Sequence, residues 1–344
     1  MVDDFLRDLA GNPDLYPQKL DLRRDAVLIM PFTERGYREA SFLDDRILSP
    51  EENWVSVPAL RAVMTNAASV RPLHFLFHAG HAGSTLISRL LDETHRVLGL
   101  REPLPLRTLA QMHDAMGQPP LPVTREQFED RLETFLRLWS RGYSWTQAAV
   151  IKATSSAGRL ASPLLAMRPD SRGVYLNLAH DVFLATMLSR SAAIADMQGF
   201  APERILRLSR LIGDFGRSLQ AMSVGELAAA SWLTERLTEE EAARALGKRL
   251  LHIDFDSFLH DPSKGLAAIL AHFGIAIPPD EVERIATGPV MRRYSKAPDE
   301  FAYTAELREQ ILAQSREANR AEITRGRMFL EILAAQNPQV ASVL

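Results

Sequence analysis

A short segment, 80–85, combines the residue types that bind a phosphate-like anion. Its members are Gly80, His81, Ala82, Gly83, Ser84 and Thr85, which follow a short apolar run and precede a predicted amphipathic helix. The two glycines allow a sharp turn. The free N–H groups of the first helical turn and the helix dipole then favour an anion. The segment therefore predicts an anion loop at a helix start, although Ser84 stands where the Walker A motif has its lysine.

Two residues that could take part in catalysis stand at predicted strand ends. Glu102 follows the short run 96–101 and precedes Pro103, and Lys152 ends the apolar run 148–152 before a hydroxyl-rich turn. Ligands of open parallel sheets bind at the carboxyl ends of the strands, so we expect both side chains at the edge that carries the anion loop. Two plainer readings stay open. Glu102 could cap a helix or form a surface ion pair with a nearby arginine, and Lys152 could extend its stem to solvent.

Two polar segments could line the same edge. The segment 291–298 has no periodicity and is bounded by prolines, so it is either an ordered basic loop that binds an anion or a solvated basic turn. Its polar residues are Arg292, Arg293, Tyr294, Ser295 and Lys296. The segment 40–48 mixes charged and apolar residues. We predict a strand edge or turn with solvated carboxylates there, and a substrate-facing wall is the alternative.

The bulk composition restricts the class of protein. The chain has 344 residues, of which 46% are hydrophobic, and a formal net charge of −3. This length allows one large α/β domain or a domain with a lobe, and the near-neutral charge gives no sign of a nucleic-acid or membrane binder. The chain lacks cysteine, its N-terminus does not resemble a signal peptide, and no apolar run reaches the length of a membrane span. We therefore expect a soluble cytoplasmic protein.

Alternating strand and helix patterns predict an α/β fold with a mainly parallel central sheet flanked by helices. Strands are expected at 25–32, 74–78, 96–101, 148–152, 173–178 and 249–255. Helices are expected at 124–141 with a Thr124–Gln127 capping box, at 181–190 with Asp181 as its cap, at 263–273, and as one long helix at 303–335.

Three stretches together resemble the sulfotransferase family, P-loop α/β proteins that use 3′-phosphoadenosine-5′-phosphosulfate (PAPS). The segment 80–92 is similar to the family's 5′-phosphosulfate loop and the helix after it. The segment 251–274, with its Asp-Pro step, resembles the family's late strand, acidic turn and helix, and 293–298 resembles the basic loop of bacterial members. The layout looks most like that of tyrosylprotein sulfotransferases and bacterial sulfotransferase-like proteins, and it covers about residues 72–310.

The resemblance implies a P-loop three-layer fold and a role for each candidate residue. Glu102 would be the general base, and Lys152 and His81 would stabilise the leaving oxygen. The loop from Gly80 to Thr85 would hold the 5′-phosphosulfate. The remaining cofactor-binding candidates are Thr186, Arg190, Arg293, Ser295 and Lys296. PAPS would be the co-substrate without a metal ion, and the acceptor would be a hydroxyl, phenol or amine of a small molecule or peptide.

The resemblance also suggests how the chain is organised. Residues 1–70 would form an N-terminal extension packed on the core, 71–310 the P-loop domain, and 311–344 a C-terminal helix. Helical insertions at about 105–147 and 190–245 would form the acceptor side. We expect no nucleic-acid or membrane partner, and a homodimer is compatible with this organisation.

Two positions depart from the family's pattern. His81 stands where the loop usually carries lysine or arginine, and Asn177 stands where the 3′-phosphate segment usually begins with arginine. A histidine with an unperturbed pKa near 6.5 would be about one-quarter charged at pH 7, and a phosphosulfate beside it would raise that pKa. We therefore expect a rate that falls above about pH 7.

Two other functions stay open beside sulfuryl transfer. One is an NTP-dependent kinase, in which Asp254 would serve as the acidic ligand of Mg²⁺. The other is a binding protein that keeps the fold without transfer activity, an alternative motivated by His81 and Asn177.

Overall fold

The computed structural model describes residues 2–47, 52–65, 70–117, 123–297 and 302–344. Its strands are β1 (Leu15–Asp21), β2 (Ala26–Pro31), β3 (Asn53–Ser56), β4 (Leu73–His78), β5 (Val97–Arg101), β6 (Ala148–Lys152), β7 (Gly173–Asn177) and β8 (Leu250–Asp254). Its helices are α1 (Val2–Leu9), α2 (Glu34–Glu39), α3 (Val57–Thr65), α4 (Ser84–Asp92), α5 (Leu104–Ala115), α6 (Arg125–Trp139), α7 (Ala161–Met167), α8 (His180–Leu188), α9 (Ser191–Ile212), α10 (Val224–Leu246), α11 (Phe255–His260), α12 (Pro262–Phe273), α13 (Pro279–Ala286), α14 (Ala305–Ala318), α15 (Arg320–Gln336) and α16 (Pro338–Ala341). Short 3₁₀ helices lie at Ser155–Leu160, Leu219–Ala221, Gly247–Arg249 and Pro289–Arg292. Leu48 and Pro298, which belong to segments discussed above, lie outside the described residues.

The central sheet contains five parallel strands in the order β5-β6-β4-β7-β8. Strand β4 lies in the middle, where Leu76 is paired with Lys152 of β6 and Val174 of β7. Every residue of β4 is buried, which is typical of a strand with both faces covered. Leu76 belongs to the core on one face and Phe75 to the core on the other. The predicted three-layer α/β fold with a mainly parallel sheet is confirmed.

The parallel arrangement decides where the candidate residues meet. Because all five strands run the same way, their carboxyl ends share one edge of the sheet. That edge carries the anion loop after β4, Glu102 after β5 and Lys152 at the end of β6. The predicted strands correspond to β2 and to β4 through β8, and the predicted capping box at the start of α6 is confirmed.

Two predicted helices differ from the observed ones. The long helix expected at 303–335 is divided into α14 and α15, which meet at Asn319. The Asn319 side chain donates to the Leu188 carbonyl at 3.1 Å, a long-range contact that local sequence does not reveal. The helix expected to begin with Asp181 as its cap instead has Ala179 at that position, so Asp181 lies within the first turn. There its carboxylate binds Arg327, a partner distant in the chain.

The N-terminal extension forms a separate antiparallel sheet, β1-β2-β3, whose apolar side chains share a core with one face of the main sheet. Arg141, just beyond α6, joins this sheet to the rest of the protein. Its guanidinium donates to the carbonyls of Leu9, Asn12 and Leu15 at 2.7–2.8 Å. Arg141 is 3% exposed, and burial lowers its pKa to about 10. A buried cation therefore holds the extension through backbone acceptors.

The division into 1–70, 71–310 and 311–344 and the cytoplasmic location stay predictions. Within the described ranges, no helix combines the length and the apolar character that crossing a bilayer requires.

Replacing Arg141 with methionine should destabilise the protein strongly, because it leaves buried carbonyls of the extension without their donor. We expect the free energy of unfolding in urea to fall by roughly 2–4 kcal/mol. Arg125→Met is the matched control, since Arg125 starts α6 with an exposed side chain. Equal unfolding free energies for the two variants would show that Arg141 does not anchor the extension.

Candidate functional site

The anion loop connects β4 to α4 through an unusual backbone. Gly80, His81 and Gly83 have left-handed φ angles of 99°, 52° and 70°. A Cβ atom on Gly83 would lie 1.8 Å from the Phe255 ring, so another residue would fit only if that ring moved. A left-handed histidine costs backbone energy. The loop therefore keeps a strained turn that brings the backbone to the start of α4.

His78 fixes the loop against the neighbouring strand. Its Nδ1 accepts from the Gly80 N–H at 3.1 Å, and its Nε2 lies 2.8 Å from the Ala153 carbonyl. An amide N–H can only donate and a carbonyl can only accept, so the proton of this neutral ring is on Nε2. Burial lowers the pKa of His78 well below its ordinary value, with Lys152 as the next cause. The neutral ring thus links the anion loop to the end of β6.

The start of α4 has donors for an incoming anion. Gly83 occupies the N-cap position and has no side chain to cap the first turn. Ser84 and Thr85 are both buried. Within the described part of the chain, the Thr85 hydroxyl has no hydrogen-bond partner, which is rare for a buried polar atom. A phosphate-like group would supply the missing acceptor for both the amides and the hydroxyl.

Glu102 and Lys152 form an ion pair beside the anion loop. The Glu102 backbone is left-handed, with φ 54°, and its N–H donates to the Lys152 carbonyl at 2.7 Å. Lys152 is 1% exposed, so the reading in which its stem reaches solvent is wrong. Burial lowers the pKa of Lys152, and the Glu102 carboxylate opposes that change. The carboxylate is therefore the counterion that allows a lysine to end a buried strand.

The segment 40–48 contributes a wall of the site. The charged groups of Arg46, Lys152 and Lys296 lie 3.8, 5.3 and 6.0 Å from the centre of the Phe42 ring. The Asp44 carboxylate, expected to be solvated, binds Arg46 at 2.8 Å. The segment is a turn, as predicted. However, Asp44 lines a cavity together with Phe42, so the segment is better described as a wall of the site than as a turn with solvated carboxylates.

Arg89 on α4 positions the basic loop. Its Nε donates to the Ser295 carbonyl at 2.7 Å, and its Nη2 donates to the Ser41 hydroxyl at 2.8 Å. Ser41 in turn donates to the Lys296 carbonyl at 2.8 Å. The loop is ordered, because α4 and the N-terminal extension hold it at Ser295 and Lys296, whereas Arg292 and Arg293 are exposed to solvent. Anion binding by this loop stays a prediction. Burial lowers the pKa of Lys296.

Two cavities meet at this edge of the sheet. The loop cavity lies along the first turn of α4 and is also lined by Thr186, Arg190 and Arg293. The arginine cavity has a volume of about 580 Å³. Its arginines are Arg46, Arg107, Arg190 and Arg204. Both cavities are lined by His78, His81, Glu102, Arg190, Ala193, Tyr294 and Lys296. The shared wall therefore combines a carboxylate with cations.

The structure brings almost all of the predicted site residues together. Those that line a cavity are Gly80, His81, Gly83, Ser84, Thr85, Glu102, Lys152, Thr186, Arg190, Arg293, Ser295 and Lys296. Ala82 does not line either one, because it is fully buried in the core. The Thr186 hydroxyl donates to the Val182 carbonyl at 2.7 Å and would have to turn to meet a phosphate. The structure therefore gives the location of these residues, and their roles in binding and catalysis stay predictions.

His81 is neutral in this site. Burial lowers its pKa to about 3, and the Lys296 ammonium is the next cause. The expectation that His81 is about one-quarter charged at pH 7 is therefore wrong for the ligand-free site. The expected fall in rate above pH 7 rested on that partial charge, so it is no longer supported. Positive charge at the shared wall comes from Lys296 and Arg190 instead.

Two other candidates lie away from the cavities. Asn177 donates to the Glu239 carboxylate at 2.9 Å, so this side chain binds α10 and does not replace the arginine of the family pattern. Asp254 caps α11 by accepting the Ser257 N–H at 2.7 Å. It does not line the loop cavity, and its capping role leaves the kinase alternative without a Mg²⁺ ligand at that position. Among the described residues, no group of three or more histidines and carboxylates is arranged to hold a metal ion.

Arg204 is a cavity residue that does not belong to the set predicted from the sequence. It lines the arginine cavity from α9 and is 5% exposed. One signal was present in the sequence. Met197, Ala201, Arg204 and Leu208 follow the three- and four-residue spacing of a buried helix face. An arginine on that spacing indicates a buried charge that needs a partner.

No protein-family model matches the sequence, and the comparison with curated proteins finds no match. Solved structures that match include sulfotransferases, the family that the sequence resembles. The sulfotransferase domain from the curacin biosynthetic pathway is 11% identical, with a TM-score of 0.43 over 78% of this chain and 99% of that chain. Sulfotransferase STF9 from Mycobacterium avium is 14% identical, with a TM-score of 0.39 over 92% and 96%. Mouse sulfotransferase SULT7A1, complexed with PAP, is 11% identical, with a TM-score of 0.35 over 83% and 98%. At these values the likeness carries no argument about function, so function is inferred from the site itself.

His81 should not titrate near neutral pH in the ligand-free protein. Because its pKa is lowered to about 3, the ring is neutral throughout the range from pH 5 to pH 8. The histidine ring resonance that disappears in His81→Gln should keep a constant chemical shift over that range in NMR spectra of the ¹³C-labelled protein. A titration midpoint near the ordinary histidine value of about 6.5 would contradict the burial of this ring.

Proposed function

We propose that this protein is a sulfotransferase that moves the sulfuryl group of PAPS to a hydroxyl, phenol or amine of an acceptor. The observation that carries the proposal is the Glu102–Lys152 ion pair beside the anion loop, with the Glu102 carboxylate on the wall shared by both cavities. A base and a cation at such a junction suit the transfer of a group from a donor in one cavity to an acceptor in the other.

The loop cavity suits a donor with two anionic ends. The amides at the start of α4 and the unpartnered Thr85 hydroxyl would hold the phosphosulfate. Arg190, Arg293 and Lys296 line the same cavity and would bind the 3′-phosphate. Arg190 lies 4.7 Å from the centre of the Tyr294 ring, so its guanidinium is positioned before the donor arrives.

The chain contributes a proton acceptor and positive charge to the transfer. The acceptor oxygen or nitrogen forms a bond to sulfur while the bond between sulfur and the phosphate oxygen breaks. The proton of the acceptor passes to the Glu102 carboxylate, and negative charge develops on the leaving oxygen. Lys152 and Lys296 stabilise that charge, and His81 contributes as a neutral hydrogen-bonding group.

The ion pair links the two halves of this reaction. While Glu102 is ionised, it holds the Lys152 ammonium. Once Glu102 takes the proton of the acceptor, it loses its negative charge and its attraction for the ammonium. Lys152 can then turn toward the leaving oxygen at the stage when charge develops there. This buried lysine thereby keeps a counterion at each stage.

The donor is tested by thermal stability. Adenosine 3′,5′-bisphosphate at about 100 times its Kd should raise the Tm by about 5 °C, and Mg-ATP should leave it unchanged. Thr85→Val keeps the shape of the side chain but removes the hydroxyl. It should raise the Kd of the bisphosphate by roughly tenfold or more. Thr324→Val on α15 is the control, because that hydroxyl is exposed and bonds only within its own helix among the contacts described. Stabilisation by Mg-ATP alone would favour the kinase.

The role of Glu102 is tested by kinetics with ³⁵S-labelled PAPS and a panel of hydroxyl, phenol and amine acceptors. Glu102→Gln should lower kcat by about 10²- to 10⁴-fold, because it removes the base, while bisphosphate binding is retained. Glu129→Gln, on the exposed face of α6, should behave like the wild type. Full activity of Glu102→Gln would rule out its role as base. Bisphosphate binding by the wild type without transfer to any acceptor would favour the binding-protein alternative.

A further inference from the structure

Arg204 is a buried cation whose hydrogen bonds are largely unmade. Its side chain is 5% exposed. Its Nη2 donates to the Ser155 hydroxyl at 3.3 Å, a long contact. Its Nε and Nη1 are buried and have no hydrogen-bond partner among the residues that the structure describes. A guanidinium is charged at any physiological pH, so this group lacks the partner that burial requires.

Three carboxylates act electrostatically on Arg204. Two of them, Glu203 and Glu235, are bound to other arginines, while the third, Asp196, is exposed to solvent. Glu203 binds Arg159 at 2.9 Å, and Glu235 binds Arg207 at 2.6 Å. Both act on Arg204 only through the electrostatic field, while burial lowers its pKa. The pairing of these neighbours makes Arg204 the guanidinium in this group without a carboxylate contact in the described chain.

The cavity around Arg204 has unmatched positive charge. The guanidinium of Arg107 lies 4.8 Å from the centre of the Phe200 ring, and that of Arg204 lies 5.9 Å from the same centre. The lining carboxylates are Asp44, Glu102 and Asp196. The first binds Arg46, the second binds Lys152, and the third is exposed to solvent. A ligand in this cavity therefore meets three arginines, Arg107, Arg190 and Arg204, that have no carboxylate bound to them among the described residues.

We infer that the arginine cavity binds an acceptor that carries its own carboxylate or phosphate group, and that Arg204 is the ligand of that group. The inference rests on the proposed function, in which this cavity holds the acceptor. Arg204 lines the arginine cavity and does not line the loop cavity, so its anion is distinct from those of the donor. The acceptor would place its nucleophile at Glu102 and its anionic group at Arg204.

Binding requires one local movement. Because Nε and Nη1 are sealed from water, the guanidinium has to turn into the cavity before an anion can contact them. The hydrogen bond that breaks is the long one to Ser155. The turned guanidinium could then bind a carboxylate or phosphate through two parallel N–H groups, the geometry in which arginine is most selective.

The first experiment uses the smallest anions as probes. The bisphosphate-loaded protein is titrated with acetate and with inorganic phosphate while the arginine Nε–H resonances are followed by NMR. Arg204→Gln identifies the Arg204 resonance. Arg159 is a matched internal control, because its side chain is only 8% exposed and its Nε also lacks a partner in the described chain, but its guanidinium already binds two carboxylates. We expect a saturable shift at Arg204 and none at Arg159. No shift at Arg204 with either anion would overturn the inference.

The second experiment compares phenols that differ in one group. The probes are 4-hydroxyphenylacetate, 4-hydroxybenzylphosphonate and the neutral 4-(2-hydroxyethyl)phenol, with binding measured by calorimetry on the bisphosphate-loaded protein. The wild type should prefer at least one anionic probe by roughly 10- to 100-fold. Arg204→Gln should reduce that preference to near unity, Arg204→Lys should keep part of it, and Arg210→Gln, from the exposed face of α9, should keep all of it. Whichever anionic probe is preferred more strongly over the neutral phenol shows whether the acceptor carries a carboxylate or a phosphate group.

The outcomes separate this inference from the proposed function. Weaker bisphosphate binding by Arg204→Gln would assign Arg204 to the donor and overturn the inference. Equal binding of anionic and neutral phenols by the wild type would also overturn it. A protein that ignores the bisphosphate, but still shows the anion shift at Arg204 in its absence, would refute the sulfotransferase and leave the anion site standing.

Discussion

Burial of positive charge is the constraint on which much of this structure depends. Among the described residues, five cationic ones are at most 5% exposed, and they are Arg101, Arg141, Lys152, Arg204 and Arg207. A charge removed from water is tolerated only where an anion or several hydrogen-bond acceptors replace the water. Each partner therefore also determines which segments lie together. Arg101 binds Asp92 of α4 and the carbonyls of the N-terminal extension, and Arg141 binds three further carbonyls of that extension.

The same constraint separates structural cations from those available for chemistry. Arg207 has a carboxylate and a hydroxyl as partners in the core, because Glu235 and Thr238 are bound to its guanidinium. Lys152 has one carboxylate partner in the described part of the chain, Glu102, and that residue also lines both cavities. A counterion that can itself change charge makes the position of Lys152 responsive to proton transfer. Arg204 has even fewer partners, and the space beside it is a cavity.

How far the sequence predicts this molecule depends on the range of the interactions involved. The strand, anion loop and helix around Gly83 are local, so residue spacing predicts them. Glu102 and Lys152 follow from one further rule, because parallel strands bring their carboxyl ends to the same edge. The neutral state of His81 could not be predicted, since its pKa depends on burial and on Lys296, which is distant in the chain. The unpaired N–H donors of Arg204 could not be predicted either, because they depend on which nearby carboxylates are bound by other arginines.

Arg89 illustrates how the parts of this protein are constrained together. Through the Ser295 carbonyl and the Ser41 hydroxyl it connects α4 to the basic loop and to the N-terminal extension. A shorter or uncharged side chain at this position would release both segments at once. The extension is thus a structural component of the site, and its sequence cannot vary independently of it. In evolution or in a chimera, position 41 and the basic loop would have to be inherited as a unit with the helix that holds them.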